Sequence, residues 1–309
     1  MRIEIKPKYL RGLACHEGAL VVIASSLDRE YQLAFSDTFC FAYLQQTSST
    51  VGEKIATSNE DFYGNIKKYC GIETYSVSVG SDVHKTVKKM IKKHGVVGVE
   101  TDAYYCPWSF EFKKNRHGHH YLIVDYNNQG YCCIDTTMYE KNYDMDYENF
   151  SLGLKGITGF KVNDFDDEFN YKEIFNKSIL SIINSTCVED LQSFYNDFQN
   201  INYEKEFESF QNGHWGCAIQ RNIGFYLIGS MELYSEFICH ISSKLPNKNF
   251  NPLINSINEI KEKWNALYSI ILKLYYSNFD FRYKERANSC LEEIIKKYNE
   301  AILLFKNYI

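Results

Sequence analysis

Near its C-terminal end the chain carries apolar residues at a spacing that suits one face of a helix. Leu253, Ile257, Ile260, Trp264, Leu267, Ile271 and Leu274 step alternately by four and three residues. Ala287, Leu291, Ile294, Tyr298, Ala301 and Phe305 repeat that rhythm. Each run matches the 3.6-residue period of an amphipathic helix, and the short polar link between them predicts an antiparallel pair. A coiled coil would need more repeats than these. Only 4 of the 309 residues are proline, so little interrupts long helices. Glu168 to Ile183 shows the same helical spacing.

The first half reads differently. Gly18 to Leu27 is small and apolar and follows directly on Ala14-Cys15-His16-Glu17, which predicts a buried helix entered at a cysteine. Gly95 to Asp102 is β-branched and bounded by glycine, a buried strand. Tyr121 to Tyr126, the turn Asn127-Asn-Gln-Gly130 and Tyr131 to Asp135 together predict an antiparallel hairpin. The expected architecture is α+β, with residues 1–160 as one domain and 161–309 as a helical domain that shapes the substrate and acceptor site.

Composition narrows the function classes. A net charge of −5 with 45% hydrophobic residues excludes a disordered chain and a strongly basic nucleic-acid binder. The 25 tyrosines and 21 phenylalanines suit core packing and the lining of polar pockets. Ten cysteines occur without a C-x-x-C pair, so zinc-ribbon and thioredoxin motifs are absent. Met1 to Leu10 lacks an apolar signal region, and Ala19 to Ala24 is too short to span a bilayer. The expectation is a cytoplasmic protein with reduced thiols and no contact with membrane or nucleic acid.

The residues best placed for chemistry are Cys15, His120 and Asp135. A cysteine at a helix start has its thiol pKa lowered by the helix dipole. His120 opens one strand of the hairpin and Asp135 closes the other, so the two lie side by side at its open end. Asp135 can then fix the tautomer of an imidazole that deprotonates Cys15. His119 competes with His120 for that role, since strand alternation turns one inward and one outward. His120 is favoured because it adjoins the apolar run. The rival readings of Asp135 are a solvated strand-end carboxylate and a cap for the turn that follows. The cluster His117, His119, His120 with Cys106 has no standard ligand spacing, so no metal is expected.

Cysteine, histidine and aspartate in this chain order form the papain-type arrangement, and three segments sharpen the likeness. Arg11-Gly-Leu-Ala-Cys-His-Glu-Gly-Ala-Leu20, Thr101-Asp-Ala-Tyr-Tyr-Cys-Pro-Trp108 and His119-His-Tyr-Leu-Ile-Val-Asp-Tyr126 resemble the N-terminal domain of the butirosin biosynthesis acyltransferase family over roughly residues 8 to 140. The resemblance implies a papain-like cysteine-protease fold for residues 1–160. It implies an amide-forming acyltransferase of natural-product biosynthesis, of the kind found in peptide or closthioamide-like assembly lines. Such an enzyme takes an acyl or peptidyl chain from a carrier-protein thioester and hands it to a small amine. It needs no cofactor of its own, the substrate riding on the phosphopantetheine of the carrier, and a homodimer is compatible with it. Asp102, Tyr104, Tyr105 and Trp108 would touch substrate, Asp102 as an ammonium contact, although a loop carboxylate is the plainer reading of that residue.

One departure concerns the oxyanion hole. Papain-type enzymes commonly place a glutamine about six residues before the cysteine; here Tyr9 stands there, and no glutamine occurs from Met1 to Cys15. The Cys15 N–H and a donor from elsewhere must serve. A second feature concerns partners. Lys85, Lys88, Lys89, Lys92 and Lys93 share one helical face, with Val83, Val87, Met90 and Ile91 on the other. That face is either solvated surface or a dock for an acidic carrier protein. A peptidase or thioester hydrolase using the same residues, and a silent papain-fold binding protein, remain the alternative functions.

Overall fold

The computed structural model describes residues 2–45, 50–57, 61–138, 140–164, 168–208 and 217–309. The chain is mixed α+β. Its strands are β1 (Phe41–Tyr43), β2 (Ile55–Thr57), β3 (Ile72–Ser76), β4 (Val97–Asp102), β5 (Gly118–Tyr126), β6 (Gly130–Ile134), β7 (Asn142–Asp146) and β8 (Leu154–Val162). The helices that matter below are α1 (Cys15–Ser26), α2 (Phe62–Cys70), α3 (Val83–His94), α4 (Tyr147–Gly153), α5 (Tyr171–Ile183), α6 (Cys187–Gln199), α7 (Ile228–Lys244), α8 (Asn251–Tyr276) and α9 (Phe281–Lys306).

The residues divide into two compact units, Met1–Tyr31 with Phe62–Asp167, and Gln32–Asp61 with Glu168–Ile309. The first is built on a six-stranded antiparallel sheet in the order β3-β8-β4-β5-β6-β7. Strand alternation gives the sheet two faces. Val97, Val99, Tyr121, Ile123, Tyr131, Cys133, Met145 and Ile157 share one face, buried against Val87 and Ile91 of α3 and Phe150 of α4. Helix α3 is entered at Asp82, which accepts the Lys85 N–H at 2.9 Å, and it ends at Gly95 with φ 84°. That left-handed cap is the conformation glycine adopts most cheaply. The opposite face carries Gly98, His120, Leu122, Ile134, Thr158 and Phe160, as the pairings of β4, β5, β6 and β8 require. Helix α1 packs against β5, and its segment Gly18 to Ala24 is buried throughout.

In the second unit α8 and α9 are the expected antiparallel pair. Every apolar position of the two runs named above is buried. Lys263 pairs with Glu293 and Lys297 with Glu259, the register of two helices running in opposite directions. A single cut at residue 160 is not how the chain divides, because Gln32–Asp61 belongs with the helices. The reason is aromatic burial. Phe41 stacks on Trp264 at 5.6 Å and tilts against Phe194 at 5.6 Å, while Phe39 sits 5.4 Å from Tyr298. Trp264 Nε1 donates to the Tyr298 hydroxyl at 3.3 Å, so its one polar atom is satisfied in the core.

Trp264 is fully buried and the α8–α9 ion pairs are largely exposed. Trp264→Ala should therefore cost about 3–5 kcal/mol, the usual range for emptying such a site. Glu259→Ala should cost less than about 1 kcal/mol, as exposed pairs do. Urea unfolding followed by far-UV circular dichroism compares them, and equal shifts in midpoint would contradict this account of the helical core.

Candidate active site

Cys15 is the first residue of α1. Ala14 before it has no side-chain oxygen to cap the helix, but its N–H donates to the Glu17 carboxylate at 2.8 Å. The N–H groups of a first helical turn have no partner within the helix, and with the dipole they favour an anion at this position. The helix start is fixed from beneath. Thr136 Oγ1 donates to the Cys15 carbonyl at 2.9 Å, and a Cβ on Gly18 would stand only 2.5 Å from that same Oγ1. Only a glycine at position 18 lets the helix approach so closely.

Asp135, just past the end of β6, is 2% exposed, and four hydrogen bonds hold it. Its Oδ2 accepts from Trp108 Nε1 at 2.6 Å and lies 2.6 Å from His119 Nε2. Its Oδ1 accepts the Thr137 N–H at 3.0 Å and the Thr137 hydroxyl at 2.8 Å. With Nε2 on the carboxylate, His119 keeps Nδ1 for Cys15. The imidazole in the array is thus His119, and the expectation for His120 is corrected. The cause is a β-bulge between Ile123 and Asp125 of β5, where Val124 is the extra residue. Counted from the turn without a bulge, Asp135 would oppose Leu122 and share its face with His120. With the bulge Leu122 pairs with Ile134, so Asp135 falls opposite Tyr121, on the face of His119.

The electrostatics follow from that geometry. Burial pushes the Cys15 thiol up, but hydrogen bonds with His119 and His16 and the charges of both imidazoles outweigh it and bring the pKa down to about 6. Burial pushes His119 down, yet its bonds and charge interactions with Asp135 and Cys15 raise it to about 10. Burial likewise pushes Asp135 up and the His119 bond prevails, so its carboxyl titrates below the usual range. The arrangement stabilises a thiolate–imidazolium pair between pH 6 and pH 10. His120 has no such partner, and burial pushes it down to about 3.

A cavity of about 430 Å³ opens beside Cys15, lined among others by His16, Tyr63, Glu100, His119, His120 and Phe160. The four residues expected to touch substrate do not line it. Trp108 instead backs Asp135, its ring 5.0 Å from Tyr143 and 5.3 Å from Tyr121. Asp102 accepts the Tyr104 N–H and pairs with Arg116 at 3.1 Å, so the expected ammonium contact already has a guanidinium. Tyr104 and Tyr105 lie under that same Arg116, 4.9 and 5.5 Å from its centre. His16, stacked on Tyr63 at 5.6 Å, and Glu100 were not singled out from the sequence. The pairing of Glu100 with His120 across β4 and β5 was a register, not a motif.

Cys106, His119 and Asp135 bring potential ligand atoms within 4.8 Å of one another. His119 Nε2 and Asp135 Oδ2 are already spent on each other, and burial together with the Asp135 charge pushes the Cys106 thiol up, so it keeps its proton. Elsewhere Lys85, Lys88, Lys89, Lys92 and Lys93 line one concavity with Tyr126, and Lys88 lies over the rings of Tyr126 and Tyr147 at 5.3 and 4.7 Å. That helix packs on the sheet face opposite the one facing the cavity.

The alkylation rate of Cys15 by iodoacetamide should rise with pH through a midpoint near 6, well below the ~8.5 of a free thiol, because the reactive species is the thiolate. His119→Ala removes a hydrogen bond and a positive charge and should move the midpoint upward. A midpoint that moves in His120→Ala and stays in His119→Ala would return the pairing to His120.

No protein-family model matches this sequence, and no curated protein matches it.

Proposed function

We propose that the first unit is a papain-like catalytic unit and that the protein is a cysteine-dependent acyltransferase forming an amide by way of an acyl-Cys15 intermediate. The observation that carries this reading is the alignment of Cys15 at a helix start, His119 and a four-fold bonded Asp135 beside a ligand-sized cavity. A low-pKa thiol paired with an oriented histidine is the arrangement that activates a nucleophile for acyl transfer. The resemblance of the segments around Cys15, Trp108 and His119 to the butirosin acyltransferases supports transfer to an amine over hydrolysis.

In this reading the Cys15 thiolate attacks the thioester carbonyl and forms a new C–S bond. The bond to the carrier thiol then breaks, and His119 gives its Nδ1 proton to that leaving thiolate. Asp135 holds the ring for both proton transfers. A free amine next attacks the acyl-Cys15 carbonyl, its N–H proton passes to His119, and the C–S bond to Cys15 breaks. The amide leaves, and the thiolate–imidazolium pair is restored. The Cys15 N–H at the helix start is one donor for the oxyanion, and His16 beside it is placed to be another.

The acyl donor on this proposal is a chain on the phosphopantetheine of an acidic carrier protein. The lysine-lined concavity of α3 is the cationic surface offered to it, and since that helix packs on the far face of the sheet, the flexible arm must bridge to Cys15. Charge reversal at Lys88, Lys89 and Lys92 should raise KM for a carrier-bound substrate and weaken its salt dependence. Kinetics with an N-acetylcysteamine thioester should not change. Equal kinetics on the carrier-bound substrate would make α3 ordinary surface.

Intact-protein mass spectrometry after incubation with an N-acetylcysteamine acyl thioester tests the reaction class. The wild type should gain one acyl mass and Cys15→Ala should gain none. His119→Ala should acylate about 10²–10⁴-fold more slowly, the range for a lost acid–base group. Added amine should then release amide; release of free acid alone would make the protein a thioester hydrolase, and an adduct retained in Cys15→Ala would remove Cys15 from the chemistry.

A further inference from the structure

The wall of the cavity contains a second pair of polar groups that the acyl-transfer steps do not use. Glu100 of β4 and His120 of β5 are directly opposed across the two strands, and both line the cavity. His120 is 7% exposed, and its Nδ1 is buried with no hydrogen-bond partner. A buried ring nitrogen left unpaired costs free energy comparable to a lost hydrogen bond. Two glycines make room for the pair. A Cβ on Gly98 would stand 2.8 Å from His120 Nε2, and one on Gly156 would stand 3.3 Å from a Glu100 carboxylate oxygen. A neutral imidazole has one N–H and one lone pair, so with its proton on Nε2 the orphaned Nδ1 is an acceptor.

The chemistry of this wall is selective. Among the described residues no lysine or arginine lines the cavity. Its cationic groups are the imidazoles of His16 and His119 beside the Cys15 thiolate, while on the β4–β5 wall the Glu100 carboxylate and the His120 lone pair are acceptors. Tyr63 and Phe160 add aromatic faces, which attract a cation electrostatically. An anionic head would meet the Glu100 charge, and an apolar one would leave His120 Nδ1 unpaired. An alkylammonium carries three N–H donors, which suit a carboxylate and an unpaired ring nitrogen on neighbouring strands. Alkylamines resemble the lysine side chain, with a pKa of ~10.4, and are therefore almost entirely protonated at neutral pH.

We infer that Glu100 and His120 form the subsite for the acceptor, binding it as a primary alkylammonium, so that these two residues determine specificity for the second substrate. The acceptor role rests on the acyl-transfer reading; the binding site itself does not. The bound cation loses one proton to solvent before it attacks, and the second goes to His119 as described above. The carboxylate that recognises the amine is thus Glu100, two residues before Asp102 on the same strand.

Two experiments separate this inference from the reaction on which it builds. The first needs no chemistry. Cys15→Ala protein is titrated with butylammonium chloride while the His120 ring signals are followed by NMR, with butanol as the uncharged probe. Saturable shifts with butylammonium, at least ten-fold weaker with butanol and lost in the Cys15→Ala/Glu100→Gln protein, are expected. Shifts that survive in the double variant overturn the subsite. The second uses pre-acylated wild type and measures release of the acyl group against amine concentration. Glu100→Gln should raise the half-saturating concentration of butylamine at least ten-fold. It should raise that of hydroxylamine, a nucleophile uncharged at neutral pH, far less, and Glu100→Asp should recover part of the loss. Equal losses for both nucleophiles would mean structural damage and overturn the inference. If the wild type never acylates while butylammonium still binds through Glu100, the proposed function fails and the ammonium site stands. Acylation without Glu100-dependent amine binding sinks the site alone.

Discussion

The buried carboxylate of Asp135 is the interaction on which the site depends. An ionised carboxylate taken out of water is costly unless every lone pair finds a donor. Here Trp108, His119 and Thr137 supply those donors from three directions. The cost of burial becomes orientation: the carboxylate stays charged because it is bonded, and being bonded it fixes the ring of His119. The next residue completes the geometry. Thr136 carries the hydroxyl that holds the first residue of α1, so two consecutive residues position His119 and Cys15. Trp108 therefore belongs to the support of the carboxylate, its indole N–H spent on Oδ2 and its ring wedged between Tyr121 and Tyr143.

How legible this was in the sequence varies by element. The helix entered at Cys15, the strand before Asp102, the hairpin and the α8–α9 pair were all readable, because each is a local pattern of period or turn chemistry. The identity of the histidine was not. Counting back from the turn is sound only for a regular ladder, and one extra backbone residue at Val124 reverses the parity of everything beyond it. Nothing in the residue types of Ile123-Val124-Asp125 announces that bulge. Asp102 misled for another reason: its partner Arg116 is brought beside it only by the fold.

The division of the chain was illegible for the same kind of reason. Residues 32–61 sit in sequence inside the α/β half, and their aromatic residues fit a core of either type. Phe39 and Phe41 are assigned to the helical unit by Trp264, Phe194 and Tyr298, whose positions no local pattern couples to them. Glu100 and His120 show the reverse case. Each is unremarkable in sequence, and only the pairing of β4 with β5 gives them a shared wall.

The interleaving of the two units has a consequence for how the chain acquires its structure. Each unit is assembled from two stretches separated by a piece of the other, so neither core can close from a contiguous length of polypeptide. Phe41 waits for Trp264, and the helix of Cys15 waits for Thr136. Contacts so distant along the chain carry a large loop-closure entropy and slow the search for the native state. A nascent chain shorter than Asp135 exposes the thiol of Cys15 without the histidine geometry that lowers its pKa. That thiol keeps its ordinary pKa until the fold around it is finished, so the lowered pKa and the fold arrive together.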